Sequence, residues 1–279
     1  MKKPSATPRR VIITGGSGGI GRSIVRRFLD GGSTVVNLDR APLRLRGRAA
    51  RRLHSLEVDL ADGAAIRAAF AEADRRFRGG APDTLVAAAA IGLTHHLLEA
   101  SEADVDRIMA INVRGTLVCA QQAAQRMRAG RRGRIVVVTS ISALQAWAQE
   151  PLYCVSKAAQ MSLVQNLATE LAPFGILVNA VGPGVIDVRS HGMSGNRARP
   201  DIRQHYHDRI PLRRGGTPEE VAETTWYLST VTYMTGQTLY MDGGFLAAGL
   251  GYFGSLERDV LARLEAPARH ERRSARAPR

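Results

Sequence analysis

Cysteine is nearly absent. Two thiols, Cys119 and Cys154, stand in 279 residues. They are too few for a disulfide framework and sit at no spacing used by zinc or redox sites, so both are expected as reduced thiols. Long apolar runs are missing as well. The chain is 44% hydrophobic, ample for a core, yet no run approaches the roughly 18–20 apolar residues of a membrane-crossing helix. The opening MKKPSATPRR is basic, but Val11–Thr14 behind it is too short for the apolar stretch of a secretory signal and leads straight into glycines. The expectation is a soluble, cytoplasmic protein that engages no membrane. Acidic residues are the third shortage: 25 against 39 Lys and Arg, a net charge of +14. The excess gathers at Lys2–Arg10, Arg44–Arg52, Arg126–Arg134 and Arg258–Arg279. Such clusters can attract nucleic acid, a membrane surface or an acidic protein. No aromatic residue interleaves the tail's arginines, and no nucleic-acid motif is present. The clusters therefore read as solvated faces, and nucleic acid is not an expected partner.

What the chain does hold begins with a short apolar strand, Arg10–Thr14, followed by Gly15-Gly-Ser-Gly-Gly-Ile-Gly21. A helical pattern through Ile24, Val25, Phe28 and Leu29 comes next and stops at Gly31-Gly32. Strand, glycine turn and helix make the context that a dinucleotide fingerprint requires. The turn lets backbone approach a pyrophosphate, and the helix N-terminus offers it free N–H groups. Gly15, Ser17, Gly18, Gly19, Ile20 and Gly21 are accordingly expected to bind the cofactor. Thr34–Asp39 reads as the second strand, ending in a carboxylate about where the ribose hydroxyls of NAD would lie. A 2′-phosphate there would meet a like charge, and at ~4 Å and an effective dielectric of ~20 the repulsion supports roughly 10³-fold discrimination. NAD(H) is the expected cofactor. Arg40 follows and could turn to a phosphate, which keeps NADP(H) possible.

Further strands are expected at Ser55–Asp59, Thr84–Ala89, 134–139, Leu177–Val181 and Thr238–Met241, with helices over 62–77, Ser101–Ala129, Glu150–Ala172 and from Thr217 onward. Ser101 and Asp104 have the spacing of a capping pair, and Asn112 is a polar residue inside an apolar helical pattern that needs a buried hydrogen-bonding reason. His95 and His96 are adjacent, point apart and are not expected to hold a metal; no metal site is expected elsewhere. Ile186–Ile210 is polar and irregular, the composition of a lid. Strand–helix alternation calls for a doubly wound parallel sheet, whose ligands lie at the carboxyl ends of the strands. Asp59, Leu60, Ser140 and Gly182–Gly184 all fall at such ends. One domain is expected over residues 9–249, after a flexible 1–8. An extension over 250–266 carries the apolar Leu256, Val260, Leu261 and Leu264. A basic, disordered tail is expected over 267–279.

The segment Thr139–Lys157 carries the chemistry. Tyr153 and Lys157 are four apart and share a helix face. A phenol with a pKa near 10 is a poor proton carrier at neutral pH. An ammonium about 4 Å away would favour the phenolate by up to ~4 kcal/mol, bringing it toward the range where acid–base catalysis works best. Ser140 stands at the preceding strand end, where a hydroxyl could hold a carbonyl or alcohol oxygen.

Together these pieces resemble the short-chain dehydrogenase/reductase family. The matching residues are Thr14–Gly21, Asp59-Leu60, Asn112-Val-Arg-Gly, Ser140, Tyr153-x-x-x-Lys157, Pro183-Gly184, Arg214 with Gly216-Thr-Pro-Glu-Glu220, and Asp242-Gly-Gly244, spread over roughly residues 8–249 in the family's order. The resemblance implies a single-domain Rossmann-type α/β fold of about seven parallel strands with helices on both faces, in a homodimer or homotetramer. It implies Tyr153 as general acid–base and Lys157 as the group that lowers its pKa and holds the nicotinamide ribose. Ser140 would position the substrate oxygen, with Ser142 a competitor for that role, and Asn112 would hold the water of a proton relay. Backbone at Ala88, Ala89, Pro183, Gly184 and Ile186 would meet the cofactor. Two departures stand out: Ala87-Ala-Ala-Ala90 replaces the family's Asn-Asn-Ala-Gly, and Val188 replaces a common threonine. The implied substrate is a secondary alcohol or ketone, either a 3-oxoacyl thioester or a polyol or other hydroxy compound. Arg126, Arg128, Arg131 and Arg132 resemble a face that some relatives offer to an acidic acyl carrier protein. The lid's Arg189, His191, Arg197, Arg199, Arg203, His205 and His207 also favour an anionic or protein-borne substrate. The alternative reading is a non-catalytic dinucleotide-binding scaffold, or a basic nucleic-acid- or protein-binding module on the same fold.

Overall fold

Runs such as Val11-Ile12-Ile13 and Val35-Val36 have no polar alternation, the signature of strands covered on both faces; all five side chains are fully buried. The computed structural model describes residues 9–94, 96–188 and 200–248. Expectations for the two termini, for His95 and for lid residues 189–199 lie outside the described residues. Seven parallel strands form one sheet: β1 Arg10–Thr14, β2 Thr34–Asp39, β3 Leu53–Glu57, β4 Thr84–Ala87, β5 Gly133–Val138, β6 Ile176–Pro183 and β7 Thr238–Met241, in the order β3-β2-β1-β4-β5-β6-β7. Helices α1 Gly19–Asp30, α2 Gly63–Arg76, α3 Glu102–Ile108, α4 Thr116–Met127, α5 Pro151–Leu171, α6 Pro200–Arg209 and α7 Pro218–Leu228 complete the framework, with a last helical turn at Phe245–Ala248.

The sheet is covered by two apolar layers. On one side Ile66 and Phe70 of α2, Ala120 and Ala123 of α4 and Val164 of α5 pack with Ile12 of β1, Val36 and Leu38 of β2 and the apolar side chains of β4 to β6. On the other, Ile24, Val25 and Phe28 of α1 meet Val221 and Leu228 of α7. The chain direction across the sheet reverses between β1 and β4, which pair from Val11↔Thr84 to Thr14↔Ala87. This switch point is where α/β folds open a crevice at the strand carboxyl ends.

Several boundaries differ from expectation. The third strand is Leu53–Glu57, two residues earlier than Ser55–Asp59, because its register is set by pairing Val35↔Leu53 to Asp39↔Glu57 with β2. Asp59 then lies in a turn, where its Oδ1 accepts the Ala61 N–H at 2.9 Å. The fourth strand stops at Ala87 rather than Ala89, and β6 continues through Gly182 and Pro183, which pair with β7. The helix expected over Ser101–Ala129 is interrupted. Ser101 and Asp104 do form the capping box of α3, but Met109–Gly115 is a π turn before α4 begins. Within the irregular lid expected over 186–210, Pro200–Arg209 is helical; Pro200 at the first position and Asp201 in the first turn both suit a helix N-terminus. Gly216–Glu220 has a structural meaning too. Thr217 and Glu220 box the N-terminus of α7, and Arg214 grips the Glu220 carboxylate.

Candidate active site

A cleft of about 760 Å³ opens along the carboxyl ends of the strands. Its first wall is the glycine turn between β1 and α1. Gly15 has φ +73°, and a Cβ there would come 2.6 Å from Ala89 Cα; a Cβ at Gly21 would strike Gly15 O. The turn thus packs backbone against backbone, which side chains would prevent. Two side chains of β2 fix it. Asn37, fully buried, accepts the Gly16 N–H at 2.9 Å through Oδ1 and donates through Nδ2 to the Ser17 and Ser55 hydroxyls. Asp39 accepts the Ser17 N–H at 3.0 Å and the Ala41 N–H at 3.1 Å, one with each oxygen. No side chain caps α1, so its first N–H groups face the cleft. Ser17, Gly18, Gly19, Ile20, Asp39 and Arg40 all line this end. A cradle that tolerates no Cβ, a helix N-terminus without a cap and a carboxylate at the strand end fit a dinucleotide.

The middle wall holds Asp59, Leu60, Ala88 and Ala89. The family's side-chain amides are missing here, but the backbone is held from across the seam: the Thr14 hydroxyl accepts the N–H groups of Ala88 and Ala89, both at 3.2 Å. Ile91 is clamped in turn by Asn112, whose Oδ1 accepts the Ile91 N–H and whose Nδ2 donates to Ile91 O, each at 2.9 Å.

The far end brings Ser140, Tyr153 and Lys157 to one wall, facing Pro183, Gly184 and Ile186. Ser140 stands two residues beyond β5 and caps the short turn Ile141–Ala143; its Oγ donates to Ser142 Oγ at 3.0 Å and accepts the Ser142 N–H at 3.1 Å. Ser142, the competitor for its role, lines the same cleft. Lys157 is buried; its Nζ donates to Val138 O and to Gln160 Oε1, both at 2.9 Å, and stands 5.4 Å from the centre of the Tyr153 ring. The electrostatics differ from expectation. Burial lowers Lys157 to about 7 and raises Tyr153 above its ordinary value, with the Ser140 hydroxyl acting in the opposite direction and Glu150 adding to the rise. The expected lowering of the phenol by the ammonium is absent, because desolvation dominates at both groups.

Asn112 does not line the cleft. It is fully buried in the π turn, and its carbonyl accepts Thr116 Oγ1 and Gln160 Nε2, both at 2.7 Å. Asn37, a polar position in an otherwise apolar strand, and Trp147 and Tyr206 were not singled out by sequence, and Glu150 was read only as a helix start. Trp147 lies 5.4 Å from Tyr206 and 5.7 Å, stacked, from Phe245; with Glu150 the first two line the cleft beside Tyr153. Burial raises the Glu150 carboxyl.

The basic features lie elsewhere or are already engaged. Arg126 pairs with Asp74 and Arg132 with Asp83, each at 2.8 Å, and Arg131 donates to Pro173 O. All precede β5, at the end of the sheet opposite the cleft. His207 stands 3.4 Å from Asp187. Among the described residues no cluster of potential metal ligands occurs, and no helix is long and apolar enough to cross a membrane.

A turn that excludes side chains, a fixed acid at the end of β2 and a serine, a tyrosine and a lysine on the opposite wall define a nicotinamide-dependent oxidoreductase of the short-chain dehydrogenase/reductase family, to which this chain belongs. The family model described as enoyl-(acyl carrier protein) reductase matches residues 15–246. The chain is 31% identical over 242 residues to a 3-oxoacyl-[acyl-carrier-protein] reductase of Aquifex aeolicus, covering 84% of this chain and 95% of that one. It is 34% identical over 281 residues to a 1-cyclohexenylcarbonyl-CoA reductase of Streptomyces collinus, covering 97% and 98%. Among solved structures, a short-chain dehydrogenase of Leptospira borgpetersenii with bound NAD+ superposes with a TM-score of 0.78 at 25% identity, over 88% of this chain and 96% of that one. A gluconate 5-dehydrogenase of Burkholderia cenocepacia, in complex with NADP and tartrate, gives 0.76 at 28% identity over 86% and 96%. The protein is an NAD(P)-dependent oxidoreductase acting on CH–OH groups and the corresponding ketones.

Proposed function

We propose that the cleft carries out this reaction with Tyr153 as the proton donor and acceptor, Ser140 holding the substrate oxygen, Lys157 aimed at the nicotinamide ribose and Asn112 holding the wall behind them. The bound cofactor supplies or removes the hydride. Tyr153 gives its proton to the carbonyl oxygen in reduction and takes it back in oxidation, while Ser140 keeps that oxygen beside the phenol. The observation that carries this reading is the convergence of Ser140, Tyr153 and Lys157 on one wall of the cleft whose other end is the glycine turn. Burial keeps the phenol in its protonated, donor form; the positive charge of the oxidised nicotinamide nearby would lower its pKa and favour the phenolate.

We further propose a preference for NAD(H) over NADP(H). Asp39 is tied by two backbone amides at the end of β2 and cannot turn away from a 2′-substituent without breaking both. Arg40 beside it is exposed and speaks for NADP(H). For the substrate, a small hydroxy compound is favoured: the Glu150 carboxyl can accept hydroxyl groups, and Trp147 and Tyr206 offer flat apolar faces to a ring or chain. A 3-oxoacyl thioester is the second reading, supported by the likeness to the 3-oxoacyl-[acyl-carrier-protein] reductase of Aquifex aeolicus. Docking of an acidic carrier through Arg126–Arg132 is not favoured, since two of those arginines are already paired. A homodimer or homotetramer is supported by Val105, Leu144 and Val155, exposed apolar side chains on and beside α3 and α5.

The test is a pair of titrations, NADH and NADPH, on the wild type and Asp39→Ala. Wild type should bind NADH tighter, and the variant should lose at least tenfold of the ratio; an unchanged ratio removes Asp39 from cofactor choice. Turnover with polyols against acetoacetyl-CoA then separates the two substrate readings.

A further inference from the structure

Behind the reacting wall lies a polar chain that the reaction as described does not use. Gln160 is fully buried, one turn beyond Lys157 on α5. Its amide orientation is dictated by its partners. Asn112 O can only accept, so the group facing it at 2.7 Å is the Nε2 donor. The same Nε2 gives its second proton to Thr116 Oγ1 at 2.9 Å. Oε1 is left facing Lys157 Nζ at 2.9 Å. Every polar atom of the glutamine is matched, and the Asn112 carbonyl has both lone pairs engaged by Thr116 and Gln160.

An apolar residue of similar size would fill the same space, so the amide needs another reason. A buried amide without partners is costly, and this one has partners because α4, the π turn and α5 present three matched groups to it. The π turn contributes directly: it brings the carbonyl of Asn112 and the hydroxyl of Thr116 to the same point facing α5.

We propose that Gln160 is a positioning residue for the proposed reaction. Through Oε1 it draws the Lys157 ammonium to the back wall, and through Nε2 it occupies the Asn112 carbonyl, so that a side-chain amide links Lys157 to Asn112 where a water would otherwise be expected. Lys157 is then held by two fixed acceptors, Val138 O and Gln160 Oε1. An amide does not shuttle protons as water does, so the lysine exchanges its proton through the cleft and not through the helix layer. The proposal rests on the reading of Lys157 as part of the active site. The ionisable side chain beside Lys157 is Tyr153 on its own helix, and burial lowers the lysine.

The experiment is the melting temperature of the full-length chain without cofactor from pH 6 to 10, for wild type, Gln160→Glu and Gln160→Met. Lys157 is held lower in the folded chain than in the unfolded one, so the unfolded chain binds the extra proton above about pH 7. Stability therefore rises with pH from about 7 toward the ordinary lysine value. Subtracting the curve of Lys157→Met removes other groups, such as His54 and Cys154, which are also shifted. A carboxylate at 160 should move the onset of the rise upward by at least one pH unit, and methionine, which removes an acceptor, should move it downward. If both variants lower the melting temperature evenly and the onset stays fixed, Gln160 only fills space and the proposal falls. NADH titration of the same samples judges the site separately: a wild type that fails to bind NADH overturns the reading of the cleft, while the onset still decides the role of Gln160.

Discussion

Tyr153 and Lys157 occupy the same face of α5, but the fold treats them differently. The lysine is sealed among carbonyl groups; the phenol is exposed enough to meet a ligand, and burial still raises its pKa. A tyrosine in that state stays protonated at neutral pH, and its raised pKa makes it a weaker acid until a bound positive charge lowers it. Replacing it with phenylalanine removes the proton and little else. Tyr153→Phe should lower kcat at least 10³-fold, within the range expected for losing a general acid, while the dissociation constant for NADH changes less than threefold. Steady-state turnover with any accepted ketone, paired with a fluorescence titration, checks both halves; a variant that turns over normally removes Tyr153 from the chemistry. The Tyr-x-x-x-Lys pair was legible because both residues lie within one helical turn. Asn37 and the Gln160–Asn112 contact were not, since those partners are 18 to 48 residues apart. A hydroxyl or amide in an apolar pattern announces that a partner exists and does not say which.

At the scale of elements, the pieces that sequence placed well are those with one dominant period: the buried runs of β1 and β2, and the helix of α5. Those it misplaced are set by neighbours. The limits of β3 follow from its pairing with β2, and the π turn follows from three polar contacts that no periodicity records. The join between β1 and β4 is the element-level feature most open to test. The Thr14 hydroxyl accepts two consecutive N–H groups and supports the segment in which alanines replace the family's amides. Thr14→Val keeps the shape and leaves both amides without that acceptor. The cost should be about 1–3 kcal/mol, seen as a lower midpoint in urea, together with weaker NADH binding because Ala88 and Ala89 line the cleft. An unchanged midpoint would mean that the sheet alone holds this segment.

For the whole molecule, the cleft collects groups from β1, β2, β4, β5, β6 and the helices that follow, and none of these elements forms a site alone. Anything bound there therefore stabilises the entire sheet. NADH at one hundred times its dissociation constant should add about 2.7 kcal/mol, a rise of roughly 5–11 °C in melting temperature for a domain of this size. Gly21→Ala, which forces a Cβ into Gly15 O, should abolish that rise; a variant that keeps it would show that the turn can yield. The sheet's order also has a consequence in time. β1 is finished by Thr14, but its inner neighbour begins at Thr84. At about 5–20 residues per second, a growing chain carries β1 with that edge unpaired for roughly four to fifteen seconds. During synthesis a strand with a fully buried apolar centre therefore has a long wait for its second partner, and the seam that will grip the nucleotide is where a nascent chain of this sequence would gain from a chaperone.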